Sequence, residues 1–191
     1  MSNLYDERPK PVKVDEPIKT IPDQSPYVEL SEIVSNQVEL DDSVIYINEE
    51  IEGHTLFDLI IRVRRILKYR ESNDYKGDQN APINLMINSP GGDIHEMMGI
   101  VDYIKSLGVQ VNTICRGKAF SAASIILTCG TGTRMVSKNS TIMFHQASSM
   151  ISGKLTDVTA TVDFVKQVEQ DIYNLLAEKT KKDANWWKDN M

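Results

Sequence analysis

The chain has 191 residues, 41% hydrophobic and 25% charged, an ordinary globular balance that favours one main domain with a substantial core. Its net charge of -6 argues against a nucleic-acid or anionic-membrane surface as the main business of the molecule. No apolar run reaches the ~18 residues of a membrane span, and residues 1–20 are polar and lack the apolar segment of a signal peptide, so a soluble cytoplasmic protein is expected.

Five of the seven prolines (Pro9, Pro11, Pro17, Pro22 and Pro26) fall near the start, among Lys, Asp and Glu. Such a stretch buries little apolar surface. Residues 1–26 are therefore expected to form a flexible extension, and the folded domain spans 27–191. Residues 43–48 read as a buried strand. Leu56, Leu59, Ile60, Val63, Ile66 and Leu67 follow at helical spacing and predict a helix over 55–69. Residues 70–82 are polar and contain Gly77, which predicts a loop. A strand over 83–87 is broken by Pro90, Gly91 and Gly92. A helix over 94–107 should end at Gly108. A third strand is expected over 109–115, a turn over 117–119, and a helix of small and apolar residues over 121–129. Short strands over 133–136 and 141–145 complete the alternation. Cys115 and Cys129 both sit in apolar runs and read as buried free thiols, with no CxxC pair to suggest zinc or redox chemistry.

Strand and helix alternate throughout, which predicts an α/β fold with a largely parallel sheet. Sites in such sheets gather beyond the carboxyl ends of the strands. The paired glycines, Ser121 and His145 all fall there. Residues 156–179 form a long amphipathic helix, with Val158, Val162, Val165, Val168, Ile172, Leu175 and Leu176 on one seam. That seam fits either a helix packed on its own core or one that projects against another subunit.

A nucleophilic serine needs a base, donors for an oxyanion, and room for the scissile carbonyl. Ser121 stands before a run of small residues, where a helix start leaves backbone N–H groups free. Composition alone leaves the choice open between a nucleophile and a helix N-cap. Ser124 is a rival, one turn deeper in the apolar run. Of the three histidines, His145 ends an apolar strand and suits a general base or a satisfied core residue. His54 and His95 lie on helix-initiating turns and read as surface or capping residues. The glycine pair allows close backbone approach to a ligand. Neither a GxGxxG fingerprint nor a phosphate-binding loop is present.

Three blocks occur in order: residues 87–92 (INSPGG), 111–121 (VNTICRGKAFS) and 139–146 (NSTIMFHQ). Together they resemble the proteolytic subunit family of Clp proteases, with the family's spacing, over roughly residues 42–191. The chain is similar to that family as a divergent copy. The resemblance implies a ClpP/crotonase-like superhelix of β-α units, with the helix at about 156–179 as a projecting handle. It implies a serine endopeptidase that hydrolyses unfolded polypeptides, with Ser121 as nucleophile and His145 as base. The backbone N–H groups of Gly92 and Ala122 fall on the oxyanion hole. No metal or cofactor is implied. The implied assembly is a homo-oligomer of two stacked heptameric rings, a tetradecamer fed by an AAA+ unfoldase of the ClpX or ClpA type.

Several positions depart from the family pattern. The family's triad acid aligns a few residues beyond Met191; Asp189 and Asn190 are the nearest candidates and fall short of it. The family's last strand and helix are expected to be missing. Phe120 stands where a small residue is usual, Ala122 and Ala123 replace Met-Gly, and Ala147 replaces Pro. The family's axial loop has no clear equivalent in residues 1–40. Two other readings follow: a catalytically weak or inactive structural subunit of a Clp-like ring, and a crotonase-type acyl-CoA enzyme, in which Ser121 and His145 would have no role.

Overall fold

The computed structural model describes residues 37–148 and 152–191. The expected extension over 1–26 lies outside the described residues. The elements in chain order are β1 (Val38–Glu39), β2 (Val44–Ile47), α1 (Thr55–Arg70), β3 (Ile83–Ser89), α2 (Ile94–Ser106), β4 (Val111–Phe120), α3 (Ala122–Thr128), β5 (Arg134–Val136), β6 (Thr141–Met143), α4 (Leu155–Lys179) and α5 (Ala184–Asn190).

The sheet runs β1-β2-β3-β4-β5, with β6 also paired to β4. Among the described residues only the β1–β2 pair is antiparallel; the other pairings are parallel. Helical crossovers enforce this arrangement, because parallel neighbours cannot be joined by a tight turn. Leu59, Val63 and Ile66 of α1, and Met97, Ile100, Val101 and Ile104 of α2, recur at helical spacing and are buried. Asp93 caps α2 by accepting from the Glu96 N–H at 2.9 Å. Glu96 in turn accepts from the Leu56 N–H at 2.9 Å, which ties the starts of α1 and α2 together.

β4 is the organising strand. Its first half pairs with β5 and its second half with β6, while β3 runs along its other side. The turn expected over 117–119 is therefore strand. Its physical reason is Asn88, whose side-chain oxygen accepts from the Lys118 N–H at 3.2 Å, while the Ser140 hydroxyl accepts from the Gly117 N–H at 3.0 Å. Those two side chains let a glycine at φ +106 stay inside a strand. Two other boundaries differ from expectation. α2 ends at Ser106 on an extended Leu107, so Gly108 terminates nothing. Arg70 belongs to α1 and not to the loop. It is 2% exposed and donates to the Ser43 hydroxyl and to the carbonyls of Gln79, Ala81 and Pro82.

The helix expected over 156–179 runs Leu155–Lys179. Its buried residues are Ile172, Tyr173, Leu175 and Leu176, all near its end. Its earlier turns carry Leu155 at 81% and Phe164 at 51% exposure, with the Phe164 ring against His95 at the start of α2. Trp187 of α5 packs on Phe144 with ring centroids 5.0 Å apart, and its indole donates to Thr180 Oγ1 at 3.0 Å. Cys115 and Cys129 are buried free thiols, as their apolar surroundings predict.

Candidate active site

The parallel pairing of β4 with β6 builds the site. Phe120 lies opposite Met143, so Ser121 and His145 emerge beyond the same sheet edge from strands ~4.8 Å apart. The Ser121 N–H donates to the Met143 carbonyl at 2.9 Å, which fixes the serine at the junction. Ser121 and His145 line one pocket with Ala122, Gln146, Glu169 and Met191. Among the described residues no hydrogen bond joins the two side chains directly. Such bonds are often long in unliganded sites and tighten on binding.

Ser121 occupies the N-cap position of α3 but does not cap it. Its φ of 51 and ψ of -126 lie outside the extended region that capping residues adopt, and its hydroxyl makes no capping bond. A non-glycine residue held there is strained by about 1–3 kcal/mol. The surrounding bonds sustain that conformation. The Ser124 hydroxyl donates to the Ser121 carbonyl at 2.6 Å, and the Ser124 N–H donates to the same oxygen at 2.9 Å. Ser124 is fully buried and committed to this bond, so it serves as a brace for Ser121 and not as a rival nucleophile.

The glycine pair reaches the site through backbone alone. Gly91 has φ +95, and a Cβ there would lie 2.5 Å from the Phe120 carbonyl, 2.7 Å from Ser121 Cβ and 3.1 Å from the Ala122 nitrogen. Only glycine permits that approach. Gly92 forms an isolated parallel bridge with Ile51. The bridge uses the Gly91 carbonyl and the Asp93 N–H, at 2.8 and 2.7 Å, and leaves the Gly92 N–H out of it. Among the described residues, the Gly92 and Ala122 N–H groups have no acceptor.

His145 lies two residues past the end of β6, on an exposed connecting segment and not inside the strand expected over 141–145. That segment is held on both sides of the imidazole. Phe144 packs on Trp187, and the Ala147 N–H donates to Glu169 Oε1 at 3.1 Å. Glu169 was not singled out in the sequence, although it stands three residues before Ile172 and four before Tyr173 on the inner face of α4. Burial pushes the Tyr173 phenol up, and the adjacent Glu169 carboxylate adds to the shift. Gly91 was legible only as half of a glycine pair. Asp189 and Asn190, the acids' nearest stand-ins, do not line the pocket; Asn190 donates to the Trp186 carbonyl at 2.8 Å. His54 is exposed at the start of α1 and makes no side-chain cap. His95 is exposed and stacks on Phe164. Among the described residues no group of His, Cys, Asp or Glu could hold a metal ion, and no helix is long and apolar enough to cross a membrane.

Ser121 thus stands in a strained strand-to-helix turn, shares a pocket with His145 and is flanked by the glycine pair. The Clp protease family model matches residues 32–191, and the chain belongs to that family, one of serine peptidases with the ClpP-like α/β fold. The ATP-dependent Clp protease proteolytic subunit of Bacteroides fragilis is 30% identical over 162 residues, covering 81% of this chain and 74% of that protein. The protein of the same name from Bacteroides thetaiotaomicron is 29% identical over 167 residues, covering 83% and 72%. The one from Porphyromonas gingivalis is 30% identical over 142 residues, covering 74% and 60%.

Proposed function

We propose that the chain is a serine endopeptidase that cleaves unfolded polypeptides as the proteolytic subunit of an ATP-dependent Clp-type assembly. The observation that carries this reading is Ser121: strained, uncapped, and facing a pocket shared with His145. In the proposed reaction Ser121 Oγ attacks a peptide carbonyl while His145 takes its proton. The N–H groups of Gly92 and Ala122 hold the tetrahedral oxyanion; losing one such donor costs on the order of a hundred-fold in rate. His145 then protonates the leaving amine, and water hydrolyses the acyl-enzyme. The exposed Leu155 and Phe164 on the earlier turns of α4 support stacked heptameric rings in which copies of this helix meet. An AAA+ unfoldase would deliver substrates to the enclosed chamber.

A second reading, a weak or inactive structural ring subunit, is favoured by one observation. Among the described residues no carboxylate is hydrogen-bonded to His145, and an unoriented imidazole holds the wrong tautomer part of the time. Native mass spectrometry after fluorophosphonate treatment separates the two. A ring-sized particle with one adduct per chain, lost in Ser121→Ala, is expected. A ring-sized particle without adduct overturns the peptidase reading in favour of the structural one.

A further inference from the structure

Asn88, Gly117 and Ser140 meet at a junction behind the site. Asn88 stands four residues before Gly92, Gly117 four before Ser121, and Ser140 five before His145. Each of the three motif blocks therefore carries one member of the junction and one of the site. The junction holds a bulge. β3 advances two residues from Ile87 to Ser89, while β4 advances four from Cys115 to Ala119. The N–H groups of Gly117 and Lys118 fall in that excess, and side chains accept from them: the Ser140 hydroxyl at 3.0 Å and Asn88 Oδ1 at 3.2 Å. The Ser140 hydroxyl also donates to the Cys115 carbonyl at 3.2 Å, which holds the near end of the bulge. The Asn88 amide donates to Asn48 Oδ1 at 2.6 Å, which ties it to the chain just past β2. A Cβ at Gly117 would lie 2.4 Å from Asn88 Oδ1, so the contact has no slack.

Bulges beside active sites re-aim the side chains that follow them. Past this one, β4 leaves β5 and pairs with β6 from Lys118 to Phe120, and the Ser121 N–H reaches the Met143 carbonyl. Neither Asn88 nor Ser140 lines the pocket shared by Ser121 and His145, so both act through the backbone. We propose that Asn88 and Ser140 are positioning residues, which clamp the bulge in β4 and so set the Ser121 turn in register with the His145 strand and the glycine turn. Their effect on turnover rests on the peptidase reading; their hold on Ser121 does not.

Two readouts on the full chain keep these apart. Hydrogen–deuterium exchange mass spectrometry follows the Ser121 amide, three residues beyond Lys118. Asn88→Ala and Ser140→Ala should each speed its exchange at least ten-fold, with the amides of β2 and α1 unchanged. Fluorogenic peptide kinetics should show kcat falling on the order of a hundred-fold in both variants, with KM nearly constant. Ser140→Thr keeps the hydroxyl and Asn88→Asp keeps the acceptor, and both should recover most of the loss. Ser106→Ala removes a hydroxyl bond at the end of α2 and should change neither readout. An unchanged Ser121 amide overturns the proposal, as does a Ser121 amide that loosens while kcat holds. Faster exchange spread evenly over the chain, or a loss that threonine and aspartate do not relieve, also overturns it and makes both residues merely structural. A parent chain without turnover, in which the Ser121 amide still responds to both alanines, would sink the peptidase reading and leave the clamp standing.

Discussion

Replacing Gly91 by alanine tests whether the glycine turn and the serine elbow are one rigid unit. The added methyl would sit 2.5 Å from the Phe120 carbonyl oxygen, 2.7 Å from Ser121 Cβ and 3.1 Å from the Ala122 nitrogen. Non-bonded carbon atoms prefer about 3.5–4.0 Å, and none of these three atoms can swing aside. The φ of +95 costs a non-glycine residue about 1–2 kcal/mol. Overpacking of a tight site adds about 1–3 kcal/mol. The sum, about 2–5 kcal/mol, corresponds to a fall in melting temperature on the order of 10 °C for a chain of this size. Gly53→Ala is the control, since a Cβ there meets nothing within 4 Å. Thermal unfolding followed by circular dichroism should show a large loss for Gly91→Ala and almost none for Gly53→Ala, and fluorophosphonate should label the Gly91→Ala chain at least ten-fold more slowly. A Gly91→Ala chain that melts within about 2 °C of the parent and labels at the parent's rate would refute the reasoning.

Three further outcomes follow from the same structure. Ser121→Gly should abolish fluorophosphonate labelling yet leave denaturant stability unchanged or raised by about 1 kcal/mol, because glycine relieves the positive φ; a loss of stability in urea unfolding would count against strain at this residue. Arg70→Ala should destabilise by about 3–5 kcal/mol, because three loop carbonyls lose a buried charged donor, and Arg70→Lys should recover only part of the loss in the same titration. Burial raises the Cys129 thiol from 9.0 to about 11. The unfolded thiol therefore ionises first, and its contribution is full below about pH 9 and lost as pH rises towards 11, about 3 kcal/mol in all. Cys129→Ser should flatten that alkaline decline in a urea series, and iodoacetamide at pH 8.5 should modify Cys129 only after unfolding.

The fold was legible because its signals are local and periodic. The spacing of Leu59, Val63 and Ile66, and of Met97, Ile100 and Ile104, announces helices whatever surrounds them. The three motif blocks carried Ser121, His145 and the glycine pair. What escaped the sequence depends on partners far along the chain. The stretch 117–119 reads as a turn until Asn88 and Ser140 supply the bonds that keep it in the sheet. Arg70 reads as a polar loop residue because its acceptors are carbonyls, which have no side-chain signature. Glu169 was hidden as one charge among many on a long helix, although its spacing to Ile172 and Tyr173 already put it on the inner face. The two-residue strand β1 is too short for any periodicity to register.

The central claim is that Ser121 and His145 act on one substrate in one pocket. A peptide chloromethyl ketone tests this most directly, because it forms a hemiketal with a catalytic serine and alkylates the histidine beside it. Peptide mapping after such treatment should place the alkyl group on His145, and Ser121→Ala should reduce that modification at least ten-fold. Alkylation of His54, His95 or a cysteine instead, or modification of His145 that is indifferent to Ser121→Ala, would contradict the claim.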